Sequence, residues 1–160
     1  MATRFVLNPF AAAFPATAFP QLQLVNRREV LSFDAAADET AYWQMIAPAG
    51  LTGTWVAVIS VIMASATSGN LVFAVAVEAV TAADAVDLDA ATSFDTANVS
   101  AATAVPGTAG YLLQISITLT NMDSVAAADY LRISLMRDVD PNDSAAGDAH
   151  VLGVEIRDGA

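Results

Sequence analysis

The feature that most constrains the fold is the recurrence of apolar side chains at every second position, mostly alternating with polar ones, in the C-terminal half. In residues 111–120 and 130–137 every second residue is apolar, namely Tyr111, Leu113, Ile115, Ile117 and Leu119, then Leu131, Ile133 and Leu135. A period of two is that of a β-strand, because successive strand side chains point to opposite faces. The two segments therefore predict half-buried strands of an antiparallel sandwich.

The rest of the body consists of short apolar runs separated by turn-rich segments, and helical periodicity is nearly absent. We predict further strands at residues 29–33, 40–47, 53–64, 70–81 and 149–157, with one more within 86–89 or 93–99. The Ala-rich residues 80–91 could add a turn of helix. This spacing predicts an all-β chain, an antiparallel β-sandwich or jelly roll of about eight strands, spanning residues 29–160.

Residues 1–28 differ from this body in both charge and conformation. They hold three arginines and no acid, whereas the remaining residues hold all 17 acids and three arginines. Prolines at 9, 15 and 20 exclude a continuous helix. We therefore predict an extended N-terminal attachment arm over residues 1–28. The side chains expected to make its contacts are Arg4, Phe5, Phe10, Phe14, Phe19, Arg27 and Arg28.

An extended segment of this kind cannot bury its own phenylalanine rings, so we expect another surface to cover them. Three surfaces fit the composition: a partner protein, a sister subunit, or the chain's own body. The sequence leaves these alternatives open.

Two of the predicted strands are apolar on both faces. In residues 55–63 and 71–77 one face serves the core, and the other would present Val56, Val58 and Ile62, or Val72. Soluble monomers rarely expose such a stripe. We predict a subunit interface about a symmetry axis at these residues, with cover by loops or by the arm as the alternative.

No arrangement of side chains is typical of catalysis. The chain has no cysteine, which excludes disulfides, thiolate metal sites and a cysteine nucleophile. His150 and Asp148 have no serine in a nucleophile motif, and Asp84, Asp87 and Asp89 have no marked substrate cleft. We therefore predict that the protein is not an enzyme and needs no cofactor.

Acidic residues suggest one metal site, and net charge limits the partners. Residues 138–143 (Asp-Val-Asp-Pro-Asn-Asp) resemble a calcium loop but lack the glycine and the glutamate of the EF-hand pattern. We favour a solvated turn and predict no metal, although the sequence leaves calcium binding open. A net charge of −11 disfavours nucleic acid and anionic membranes as partners.

Several of these strands together form a recognisable pattern. It runs through GYLLQIS at 110–116, ADYLRIS at 128–134, Arg137-Asp138 and DAHVLGVEI at 148–156, preceded by LSFD at 31–34 and AYW at 41–43. Residues 30–156 thus resemble the sandwich domains of tailed-bacteriophage structural proteins, including capsid decoration (cement) proteins and fibre modules. The resemblance implies a non-enzymatic, jelly-roll-like body, commonly trimeric and attached to a virion.

These observations together lead us to expect a capsid decoration protein. It would be a homotrimer on the capsid surface, assembled in the host cytoplasm, and would stabilise the shell by binding the major capsid protein or another virion protein. Two alternatives remain. One is a phage fibre, tail or baseplate module, and the other is a carbohydrate-binding sandwich that contacts the host, with Trp43, which adjoins Tyr42, or loop aromatics as its platform.

Overall fold

Strands account for nearly all of the regular structure in the computed structural model, which describes residues 2–50, 53–90 and 92–159. One short 3-10 helix covers Pro9–Ala11. The strands are β1 (Thr3–Leu7), β2 (Gln21–Val25), β3 (Arg28–Phe33), β4 (Glu39–Ile46), β5 (Trp55–Met63), β6 (Asn70–Leu71), β7 (Phe73–Val80), β8 (Asn98–Val99), β9 (Thr103–Ala104), β10 (Leu113–Leu119), β11 (Tyr130–Arg137) and β12 (Ala149–Asp158).

Two antiparallel sheets form the sandwich. Sheet A has the order β10-β5-β12-β3-β2, with β1 also paired to β12, and sheet B has the order β4-β11-β7-β8. Eight strands follow the jelly-roll arrangement, in which consecutive strands alternate between the two sheets except at β7 and β8, which pair within sheet B. The all-β sandwich prediction is confirmed, but the described residues form twelve strands rather than about eight, because β1, β2, β6 and β9 are added to this set.

The predicted strand at 70–81 is divided at Val72. β6 pairs with β9 in a separate two-stranded sheet, while β7 lies in sheet B. Residues 86–89 lie in turns and loops rather than in a strand, and residues 80–90 contain no helix. Within residues 93–99, only β8 is a strand.

The N-terminal segment contributes two strands to the sandwich, so the chain's own body, one of the three surfaces left open by the sequence, covers part of it. β1 pairs antiparallel with the second half of β12, and β2 forms a hairpin with β3. The hairpin turns at Asn26 and Arg27, whose φ angles are 47° and 64°. Positive φ at both central residues matches the right-handed twist of a two-residue hairpin. Main-chain pairing joins residues 3–7 and 21–25 to the body. Such pairing cannot be recognised from amino-acid composition.

The core lies between the two sheets and is built from the inward positions of each strand. Trp55, Phe33 and Phe73 are among its largest fully buried side chains. Phe33 on sheet A meets Phe73 on sheet B edge to face, with ring centroids 5.7 Å apart. Across the part of the chain that the structure describes, no helix is long and apolar enough to cross a membrane.

Candidate interaction surfaces

The N-terminal segment begins as a strand anchored along β12. Phe5 packs edge-on against the core residue Trp55, with ring centroids 5.8 Å apart, and Leu7 is fully buried. Arg4 donates from Nε to Asp158 Oδ1 at 2.5 Å. Arg4 and Phe5, which were expected to contact a partner, are thus largely engaged within the chain.

Beyond β1, the segment turns outward and displays one phenylalanine. The Asn8 side chain caps the 3-10 helix by accepting from Phe10 N at 2.8 Å, and the Asn8 carbonyl accepts from Trp43 Nε1, also at 2.8 Å. Pro9 is buried beneath this turn. Phe10 is 68% exposed, so its ring lies at the surface. The two hydrogen bonds of Asn8 fix the backbone that carries it.

The segment then covers the free edge of sheet B. Ala13 and Tyr42 exchange two main-chain hydrogen bonds of 2.7 and 2.9 Å, and Thr40 N donates to the Ala18 carbonyl at 2.9 Å. An uncovered strand edge presents unpaired N–H and C=O groups to other chains. Residues 13–18 therefore protect β4 in the way that a neighbouring strand would.

The remaining residues predicted to form the arm's contacts lie in two other places. Phe14 and Phe19 pack against each other, with ring centroids 5.6 Å apart. Arg27 and Arg28 are exposed at the tip of the β2–β3 hairpin, where Arg28 Nη1 donates to the Asn26 carbonyl at 3.1 Å. The structure does not bring the seven arm residues to one surface.

The predicted subunit interface on the apolar strands is only partly accessible. On the outer face of β5, Val56 and Ile62 are half-buried, whereas Val58 is 3% exposed. Val72, which joins β6 to β7, is 2% exposed, and its N–H donates to Asp143 Oδ2 at 3.1 Å. The chain itself covers Val58 and Val72, which removes two of the four residues from the expected interface.

A cleft of about 350 Å³ lies on sheet B beside the covered edge. Tyr42 and Phe94 stack with ring centroids 5.7 Å apart, and the Arg132 guanidinium lies over the Phe94 ring, 4.8 Å from its centroid. Gln44 and Phe14 also line the cleft. The cleft thus combines aromatic side chains with a cation and an amide, a set of groups that can bind a planar or hydroxylated ligand.

Arg132 is oriented by Glu78, which is completely buried on β7. Arg132 Nε donates to Glu78 Oε2, and Ser93 N donates to Glu78 Oε1 at 2.6 Å. Burial favours the neutral carboxyl, but the hydrogen bonds from Arg132 and Ser93 outweigh it and lower the pKa of Glu78 below its ordinary value. The pair therefore stays charged and fixes one wall of the cleft.

This pair was not recognised from the sequence, although one signal was present. Glu78 is the only charged residue in the apolar run 71–80, and Arg132 is the only charged residue within 130–136, which are otherwise apolar or hydroxyl-bearing. Charged residues in buried strands are almost always paired. Their register, Arg132 opposite Glu78, emerges only from the pairing of β11 with β7.

The loop predicted to resemble a calcium site serves a different partner. Arg137 is fully buried and holds Asp143 at two points, Nε to Oδ2 at 3.0 Å and Nη2 to Oδ1 at 2.8 Å. Its other N–H groups donate to the carbonyls of Phe33, Ala145 and Gly147. Asp143 is thereby a buried structural carboxylate, which corrects the solvated-turn prediction for that residue.

The other acids in the described part of the body show no metal-binding geometry. Among the described residues, no group of three or more His, Asp or Glu side chains could hold a metal ion. Partial burial, with Asp140 and Asp38 nearby, raises the pKa of Asp138. Asp84, Asp87 and Asp89 lie in exposed turns, where Asp84 and Asp87 accept local main-chain hydrogen bonds.

Trp43, the expected sugar platform, and His150, the lone histidine, are both buried. Trp43 is 3% exposed and faces the core, so it cannot be a platform for sugars, whereas its neighbour Tyr42 does face the cleft. His150 is 8% exposed, and its Nδ1 has no hydrogen-bond partner within the described residues. Desolvation lowers the pKa of His150, although Asp148 acts in the opposite direction.

The chain matches no protein-family model, and no curated protein is significantly similar to it. The surfaces described above are therefore the basis for assigning a function.

Proposed function

We propose that the chain is a virion structural protein of the capsid-decoration class. It would lie on the capsid surface, assembled in the host cytoplasm, with the major capsid protein or another virion protein as its partner. The single observation that carries the proposal is Phe10. This large apolar side chain is displayed at 68% exposure on a turn held by Asn8, Pro9 and Trp43.

An exposed apolar side chain on a rigid turn, such as Phe10, suits attachment to another protein. Burying a phenylalanine side chain contributes about 1.5–3 kcal/mol, from which the cost of ordering the segment is normally deducted. Here β1 and the Asn8 cap already order the backbone, so little of that cost remains. The mechanism is mechanical stabilisation, because surface buried between coat subunits resists their separation.

The proposed homotrimer would use the outer face of sheet A. Val56 lines a groove there with Ser116, Thr118 and Arg157, and Ile62 lies further along the same strand. Light scattering on the purified protein measures the number of copies directly. A trimer that Val56→Glu dissociates supports this surface, and a trimer unaffected by the substitution contradicts it.

Attachment is tested with purified capsids that lack the decoration protein. We expect Phe10→Ala to lower occupancy at least tenfold, equivalent to about 1.4 kcal/mol or more. Leu88→Ala is the matched control, because Leu88 is also an exposed apolar side chain, in the loop after β7. Equal occupancy for wild type and Phe10→Ala contradicts the role of Phe10. Binding to purified tails or fibres instead of capsids favours the fibre, tail or baseplate alternative.

The cleft on sheet B favours a second candidate function, carbohydrate binding. Aromatic faces stack on sugar rings, and Arg132 and Gln44 offer donors at the same opening. Glycan-array binding that is lost in Tyr42→Ala and kept in Phe10→Ala supports this candidate. No binding to any glycan by the wild type contradicts it.

A further inference from the structure

Among the described residues, one edge of sheet A has no neighbouring strand. Within that part of the chain β2 pairs only with β3, and its residues 21–24 are exposed. Val25 and Arg28 flank the two-residue turn and so form a hydrogen-bonded pair. Because hydrogen-bonded and non-hydrogen-bonded pairs alternate along antiparallel strands, the N–H and C=O groups of Leu22 and Leu24 point away from β3.

The sequence of β2 contains none of the features that keep other strands from pairing with such an edge. Proteins usually protect edges with charges, prolines, bulges or covering segments. Residues 21–25 read Gln-Leu-Gln-Leu-Val and carry no charge, and their pairing with β3 has no irregularity. Leu22 and Leu24 are 43% and 73% exposed. By contrast, residues 13–18 cover the edge of β4.

We propose that β2 pairs antiparallel with β2 of a second copy of this chain, about a twofold axis at Gln23. In this register Leu22 lies opposite Leu24 of the second copy, and each pair exchanges both main-chain hydrogen bonds. The four leucines then meet on one face of a continuous sheet. A contact in which both copies use the same patch closes on itself and does not propagate.

Charge complementarity favours a second copy over an unrelated strand. The hairpin tip carries Arg27 and Arg28, while β3 leads directly into the exposed Asp34 at the other end of the hairpin. Antiparallel pairing brings the basic tip of each copy toward the acidic end of the other. In a chain of net charge −11, this arrangement replaces repulsion at the contact with attraction.

The twofold contact goes beyond the proposed attachment and uses other residues. The proposed attachment uses Phe10, and the proposed trimer surface surrounds Val56. The twofold contact instead uses the main-chain hydrogen bonds of Leu22 and Leu24. The contact can therefore join two monomers or two trimers.

Sedimentation equilibrium over a concentration series tests the contact with wild type, Leu24→Lys and Leu88→Lys. Leu24 and Leu88 are both more than half exposed, so each lysine leaves folding intact, which circular dichroism verifies. We expect the mass of the wild type and of Leu88→Lys to double as the protein concentration rises. Leu24→Lys places two like charges beside the axis, and we expect its dissociation constant to rise at least tenfold.

A second variant separates the main-chain contact from the side chain. Leu24→Pro removes an outward N–H without removing a hydrogen bond to β3, and we expect it to weaken association as Leu24→Lys does. Arg27→Asp should also weaken it, more at low salt than at high salt. A wild type that does not double in mass at any concentration overturns the proposal, as does doubling that Leu24→Lys leaves unchanged. Capsid occupancy of Leu24→Lys then shows whether attachment is retained independently.

Discussion

Arg137 and Asp143 form a two-point ion pair that is sealed from solvent, with side chains 0% and 2% exposed. Asp143 also accepts from Val72 N, so the pair ties β11, the 138–148 loop and the start of β7 together. Every N–H group of the guanidinium has an acceptor. Such full satisfaction is the condition under which a buried charge is tolerated.

We predict that Arg137→Met lowers the free energy of unfolding by about 3–5 kcal/mol, because the substitution leaves Asp143 buried and uncompensated. Chemical denaturation measures the change. Arg4→Met is the matched control: the Arg4–Asp158 pair is partly exposed, and such pairs contribute about 0–1 kcal/mol. Similar losses in the two variants would contradict the structural role assigned to Arg137.

The N-terminal segment should contribute to stability at some positions and not at others. Leu7 is buried, and we predict that Leu7→Ala costs about 2–5 kcal/mol. Phe10 is exposed, and we predict a change within about 0.5 kcal/mol for Phe10→Ala. Thermal and denaturant unfolding check both values. If Leu7→Ala is as stable as wild type, β1 is not integral to the sandwich.

Glu78 predicts a specific pH dependence. Its pKa in the folded protein is below the unfolded value of 4.5, so its charged form stabilises the fold above that pH. The contribution is lost as the pH falls below 4.5 towards the folded-state pKa. We therefore expect the stability difference between wild type and Glu78→Gln to shrink as the pH falls below 4.5. A difference that stays constant over this range contradicts the prediction.

His150 predicts pH dependence in a higher range. Desolvation lowers its pKa below the unfolded value of 6.5, so the unfolded chain binds the proton more readily. Stability is complete above 6.5 and declines as the pH falls towards the folded-state pKa. We expect His150→Leu to flatten the slope of unfolding free energy just below 6.5, as measured by denaturation at several pH values. An unchanged slope indicates that other groups dominate there.

Asp138 predicts a gain in stability. Its pKa is raised by partial burial and by the neighbouring carboxylates of Asp140 and Asp38, so the folded state disfavours its charge. The penalty grows as the pH rises through the unfolded pKa of 3.8 and is complete above the folded-state pKa. We expect Asp138→Asn to raise the unfolding midpoint at neutral pH. The gain should disappear at pH values below 3.8, and a destabilised variant at neutral pH contradicts the prediction.

The sequence by itself determined the class of fold and most strands of the two sheets. Alternation in residues 111–120 and 130–137 reflects burial of one strand face, and this local pattern survives without knowledge of any partner strand. The sequence also indicated that the segment around Phe10 is unlike the rest, because its prolines and phenylalanines are visible without any tertiary information.

Only the tertiary structure decided where that segment lies. Main-chain pairing of β1 with β12 and of β2 with β3 depends on groups that every residue carries, so no side-chain pattern announces it. Long-range pairing of strands also placed Arg132 opposite Glu78. Tertiary packing brought Arg137 into hydrogen-bonding contact with Asp143. Which apolar residues stay exposed, among them Phe10 and Leu24, follows from what the folded chain covers, and that is a property of the whole molecule.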